Sequence, residues 1–97
     1  MAKRMTLARL IATLPPAIKD TDDNTVYRFN AGVWPDSEGG GYIWLAGHFS
    51  EETDAWWCVG RGKTLYKAVK HLKRQLEIRE PNEKRLNYEE AKEIQAD

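Results

Sequence analysis

Cysteine is almost absent from this chain: Cys58 stands alone among 97 residues. One thiol excludes an intramolecular disulfide, and with only His48 and His71 beside it no structural zinc set can be assembled. Stability therefore has to come from packing, and no cofactor or metal is expected. Long apolar runs are missing as well, since no stretch approaches the roughly 18 to 20 residues of a membrane-spanning helix. Met1-Ala2-Lys3-Arg4 leads into a short amphipathic segment rather than a signal-peptide core, so a cytoplasmic location without membrane contact is expected. Repeats and long low-complexity tracts are also lacking. With 41% hydrophobic residues, 97 residues make one domain and leave no room for a second. Within 1–97 the expectation is a flexible 1–5, a core over about 6–80 and a short helix or tail over 81–97.

Net charge is the last absence, and it misleads. The 15 Lys and Arg balance the 15 Asp and Glu, but they are segregated along the chain. Residues 1–19 carry Lys3, Arg4, Arg9 and Lys19 and no acid. Residues 20–59 carry Asp20, Asp22, Asp23, Asp36, Glu38, Glu51, Glu52 and Asp54 against Arg28 alone. Residues 60–79 reverse the sign with Arg61, Lys63, Lys67, Lys70, Lys73, Arg74 and Arg79 against Glu77, and 80–97 return to acid. A sum of zero thus hides a two-signed surface, and it does not exclude a charged partner.

Periodicity supplies the elements. Thr6 is an N-cap for a helix with Leu7, Leu10, Ile11 and Leu14 on one face, ended by Pro15-Pro16. Asp20 to Asn24 is a turn, after which Tyr27, Phe29, Ala31 and Val33 alternate as one face of a strand. The acidic, glycine-rich segment Asp36 to Gly41 joins it to a second strand from Tyr42 to Phe49. Ser50 to Asp54 turns into a third, Ala55 to Val59. Thr64 then caps a helix with Leu65, Ala68, Val69, Leu72 and Leu76 in a stripe, which should fade near Arg79-Glu80 ahead of Pro81. Asn87 with Glu90 three residues on predicts a short final helix to about Ala96. The expected fold class is α+β: a three-stranded antiparallel sheet with a long amphipathic helix packed on one face, in the order α-β-β-β-α-α.

Alternation places Tyr27, Phe29, Val33, Ile43, Leu45, Phe49, Trp57 and Val59 beneath the long helix. Arg28, Asn30, Trp34, Tyr42, Trp44, His48, Trp56 and Cys58 fall on the other face. Three tryptophans and a tyrosine there need covering by a terminal helix, or they form an aromatic platform for a protein, a second subunit or unstacked bases. On the helix, Lys63, Lys67, Lys70 and Arg74 form a stripe opposite the leucines at about 100° per residue. Such a stripe is ordinarily a solvated face, but Lys63 and Lys67 sit where the helix dipole disfavours cations. With Arg61 and its flanking glycines they would suit an anion.

Chemical motifs are excluded more easily. Gly62-Lys63-Thr64 resembles the end of a phosphate-binding loop, but the glycine needed five residues earlier is Trp57. Cys58 between Trp57 and Val59 is a small buried hydrophobe in form, with no third group to orient His48 as its base. The turn acids act as soluble turn residues, so no enzyme is expected.

Two family resemblances remain. Gly32 to Glu77 resembles the N-terminal partner-binding domain of HicB-type antitoxins. It has the acidic hairpin ending in Gly41-Tyr42, a third strand ending in glycine, and Gly62-Lys63-Thr64-Leu65 followed by Ala68 and a helix. That resemblance implies a unit that occupies a toxin. The order α-β-β-β-α with Gly60-x-Gly62-x-Thr64 before a basic helix is similar to a double-stranded-RNA-binding domain, which implies phosphate contacts from Lys63 and Lys67.

The expected function is a non-enzymatic interaction protein that binds and inhibits a protein partner, as an antitoxin or a phage-type inhibitor does. Its contacts would come from Trp34, Asp36, Glu38, Tyr42, Trp44, Glu51, Glu52, Asp54 and Trp56. The alternative is nucleic-acid binding through Arg61, Lys63, Lys67, Lys70 and Arg74. A monomer, or a homodimer through the open sheet face, is compatible with either.

Overall fold

Short polar side chains set the helix starts. The Thr6 hydroxyl accepts the Arg9 N–H and opens α1 (Leu7–Ala12), and the Thr64 hydroxyl accepts the Lys67 N–H and opens α2 (Leu65–Glu77). Asn87 and Glu90 exchange reciprocal bonds of 2.8 and 3.1 Å at the start of α3 (Tyr88–Gln95). Between them run β1 (Ala17–Asp20), β2 (Val26–Pro35), β3 (Tyr42–Ser50), β4 (Ala55–Gly62) and β5 (Glu83–Leu86). The computed structural model describes residues 6–78 and 83–95. The expected flexible segment 1–5 and the fading of the helix at Arg79-Glu80-Pro81 lie outside the described residues, as does the expected last residue of α3, Ala96. Among the described residues no helix is long and apolar enough to cross a membrane.

The sheet corrects the three-stranded expectation. Among the described residues it has five antiparallel strands in the order β4-β3-β2-β1-β5, curled into a half-barrel, with three short helices rather than one long helix. The chain order is therefore α-β-β-β-β-α-β-α. β1 and β5 escape a periodicity reading because each has four residues, two per face. In β5 the two residues facing the hollow of the half-barrel are Glu83 and Arg85, so its inward face carries charge where a strand pattern needs apolar residues.

Register also corrects the face assignment. Phe29 pairs with His48, Ala31 with Ala46 and Val33 with Trp44, while Cys58 and Gly60 pair with His48 and Ala46. The concave face is thus Phe29, Ala31, Trp44, Ala46, His48, Cys58 and Gly60. Ile43, Leu45, Phe49 and Val59 turn to the convex face instead of lying beneath the helix. Leu10 and Leu14 of the N-terminal segment, Ile18 of β1 and the α2 stripe Ala68, Val69, Leu72 and Leu76 close the concave core. Small residues decide this arrangement. A Cβ on Gly60 would stand 2.3 Å from the Leu72 nitrogen and 2.4 Å from the Ala68 oxygen, so the α2 backbone lies directly on the strand.

A β-bulge opposite His48/Phe49 turns Trp57 inward. Its ring meets Tyr27 at 5.3 Å and its Nε1–H donates to Glu83 at 2.6 Å, joining the two outer strands across the hollow. Glu83 also accepts from Arg85, whose guanidinium in turn donates to the Leu76 carbonyl near the end of α2. Where they are part-buried, as at Trp57–Glu83 and Arg85–Leu76, such charge-assisted bonds contribute roughly 1.5 to 3 kcal/mol each. They hold a strand whose own sequence gives it little apolar area.

Candidate functional site

The convex face over β2, β3 and β4 is the part of the molecule whose apolar residues belong to neither buried cluster. Trp34, Ile43, Leu45, Phe49, Trp56 and Val59 share it, and none packs against the concave core or against the second cluster, Ala17, Leu86 and Ala91. α3 reaches this side of the sheet only at the β1–β5 end, through Ala91 over Ala17 and Leu86 and through the Ala91 carbonyl, which accepts from Arg28 at 3.2 Å. α1 lies on the opposite side with α2. Among the described residues, no helix covers the tryptophans.

Glycine leaves room for the rings close to the backbone. A Cβ on Gly32 would come within 2.8 Å of the Trp34 ring, and one on Gly47 within 3.0 Å of the Trp56 ring. The two indoles lean toward each other across β3 and meet edge to face at 5.6 Å, while Phe49 lies 5.0 Å from Trp56. Three half-buried aromatic rings therefore form one preorganised patch, held by backbone shape and by one another. Tyr42 and Trp44 do not join it. Their register places them on the concave side, where Trp44 packs against the core and Tyr42, at the strand start, is 76% exposed.

The two ends of this face differ in charge. At the hairpin end, Asp36 accepts from the Glu38 N–H at 3.0 Å and from Arg61 at 2.7 Å, and Arg61 also pairs with Glu38. The Glu38 N–H, helped by Gly39 and Arg61, holds the Asp36 carboxyl below its ordinary range; the two carboxylates raise the Arg61 guanidinium. Arg61 is thereby removed from the expected anion site and joined to the expected partner-binding acids. The Arg61 N–H is bound by the Nδ1 of His71 on α2 at 3.0 Å, which fixes this end of β4. At the other end, Glu51, Glu52 and Asp54 are exposed in the β3–β4 turn and make no ion pair among the described residues.

Lys63, just before the α2 cap, and Lys67, Lys70 and Arg74 along α2 are all exposed, and α2 packs on the concave side, so the basic stripe points away from the aromatic patch. Lys70 sits 5.8 Å from the Tyr66 ring centroid, a cation–π distance. Cys58 is buried in the core beneath α2. Among the described residues no group of His, Cys, Asp or Glu could hold a metal ion.

No family model, curated protein or solved structure matches this chain. Function has to be argued from the geometry alone.

What sequence reasoning missed is the linkage of Arg61 to Asp36 and Glu38, 25 and 23 residues away. Alternation in phase with Trp57 and Val59 puts Arg61 on the face opposite Trp34, so the pattern gave no signal for it. Its placement beside the hairpin needs the β3–β4 register, which alternation does not supply.

Proposed function

We propose that this chain is a non-enzymatic interaction protein that docks the convex face of β2–β3–β4 on a protein partner and blocks a site there, in the manner of an antitoxin or a phage-type inhibitor. The observation that carries this reading is the cluster of Trp34, Phe49 and Trp56, preorganised on Gly32 and uncovered by any described helix. Aromatic anchors already held in place lose little entropy on binding, and residues of this kind carry most of the energy in protein interfaces. The acids of the flanking turns add steering.

The test is capture of partners from the native host by the full chain and by Trp34→Ala/Trp56→Ala. The wild-type chain is expected to retain a stoichiometric protein and the double variant to lose it, at unchanged circular dichroism. Each anchor should be worth about 2 kcal/mol, so the loss of both weakens binding by roughly a thousandfold. A monomeric wild-type chain that retains no protein, or a double variant that binds as well, overturns the reading.

The nucleic-acid alternative keeps one observation in its favour, the exposure of Lys67, Lys70 and Arg74 on α2 and of Lys63 just before its cap. It requires duplex RNA or DNA binding that falls steeply with salt and is reduced by Lys63→Glu. Absence of binding at low salt sinks it.

A further inference from the structure

We infer that the occupant of the open face is a protein surface with an apolar centre and arginine or lysine on one side, the side that meets the β3–β4 turn; this rests on the docking role proposed above. The argument is charge complementarity around a fixed apolar centre. At the hairpin end Arg61 is held by Asp36 and Glu38 and offsets one of their two charges, leaving a single net negative charge. Nothing comparable happens at the far end. The register places the β1–β2 and β3–β4 turns at the same end of the sheet, bringing exposed Asp22 and Asp23 to the same rim as Glu51, Glu52 and Asp54.

Asp23 also spends its carboxylate on the turn, accepting the Thr25 N–H at 2.9 Å, a bond that lowers its pKa. Glu51 and Glu52 carry no such duty. With Phe49, Asn24 and Asn30 they line a depression of about 650 Å³ beside the aromatic patch. Arg28 lines it too, with its Nη1 turned to the Ala91 carbonyl at 3.2 Å.

A cationic side chain entering from this side would stack on Phe49 or Trp56 and reach the two carboxylates, combining cation–π and ionic attraction. An acidic partner would bring its charges against a rim where Asp22, Asp23, Glu51, Glu52 and Asp54 outnumber Arg28. A second copy of this chain, apposed face to face about a two-fold axis that brings like ends together, would set the same acids against each other.

The experiment follows the indole N–H resonances of Trp34 and Trp56 in the isotope-labelled full chain. The probes are a short peptide alternating arginine and leucine and its glutamate–leucine counterpart. The basic peptide is expected to shift both resonances and the acidic one to leave them in place. Glu51→Lys/Glu52→Lys should weaken the basic peptide by about tenfold or more, and raising salt should act in the same direction. Lys67→Glu/Lys70→Glu, on the far side, should change its affinity little.

Equal response to both peptides, no response to either, or indifference to Glu51→Lys/Glu52→Lys overturns the basic-partner inference. In those cases the docking role stands or falls separately, by whether Trp34→Ala/Trp56→Ala loses the captured partner. Sedimentation of the free chain as a dimer that Trp34→Ala/Trp56→Ala breaks puts a second copy on the face, and also overturns the inference.

Discussion

Gly60→Ala is expected to remove a large part of the stability of this fold. The added Cβ would meet the Leu72 nitrogen at 2.3 Å, the Ala68 oxygen at 2.4 Å and the Leu72 Cα at 2.8 Å. All three are atoms of α2 itself, in the turn that buries Ala68, Val69 and Leu72, and a backbone cannot swing aside as a side-chain tip can. The helix must lift from β4 and open gaps along the apolar stripe. Overpacking of this kind costs about 3 kcal/mol or more, out of the roughly 5 to 15 kcal/mol that hold a domain together. For a chain of this length that corresponds to a fall in Tm of about 15 °C. Gly39→Ala is the control: its Cβ would meet only the Asp36 side chain, at 3.0 Å from Oδ2. Thermal denaturation followed by circular dichroism separates the two. A Gly60→Ala chain melting within a few degrees of wild type would show that α2 does not rest on β4 as described.

The same contact explains why alternation puts β3 one residue out of register. Tyr42-Ile43-Trp44-Leu45-Ala46-Gly47-His48-Phe49 has no polar face, so alternation alone cannot choose which side is buried. Ile43, Leu45 and Phe49 are the more apolar set, which a pattern of hydrophobicity places beneath the helix. The helix instead selects smallness: Ala46, Cys58 and Gly60 leave room for its backbone, and the larger residues are left outside. Features fixed by local chemistry were legible, namely the Thr6, Thr64 and Asn87 caps, the α2 stripe and the three hairpin strands. β1 and β5 were not, because the side chains that hold them find their partners elsewhere in the chain, Ile18 in the α2 core and Glu83 at Trp57. Trp34 and Trp56 reach the open face as expected, whereas the bulge at Trp57 separates Trp56 from Cys58 and sends the cysteine to the core.

Stability should fall as pH drops through the histidine range, and His48 should be the cause. Its ring is fully buried, its Nε2–H donates to the Pro15 carbonyl at 2.7 Å, and its Nδ1 has no partner among the described residues. Protonation would place a second donor where no acceptor waits, in a site bounded by Phe29 at 6.0 Å. Burial therefore pushes the His48 pKa below its ordinary 6.5; the Pro15 carbonyl and Glu83 oppose that shift, and Arg85 reinforces it. A histidine depressed in the folded state takes up its proton more readily when unfolded. Its contribution is complete above about pH 7, begins to be lost near pH 6.5 and goes on falling until the folded-state pKa is reached, at up to about 1.4 kcal/mol per pH unit. Asp23, Asp36 and Glu90, the carboxylates held low, withdraw their share only as pH falls through their ordinary values of 3.8 and 4.5 and below. The interval from about pH 6.5 to about pH 5 thus lies above these carboxylates, and His48→Gln separates His48 from His71. Urea unfolding across that interval should show a steady loss in the wild-type chain. His48→Gln, whose amide can donate to Pro15 without titrating, should flatten it. A wild-type midpoint independent of pH there, or a slope that survives His48→Gln, would remove His48 from this role.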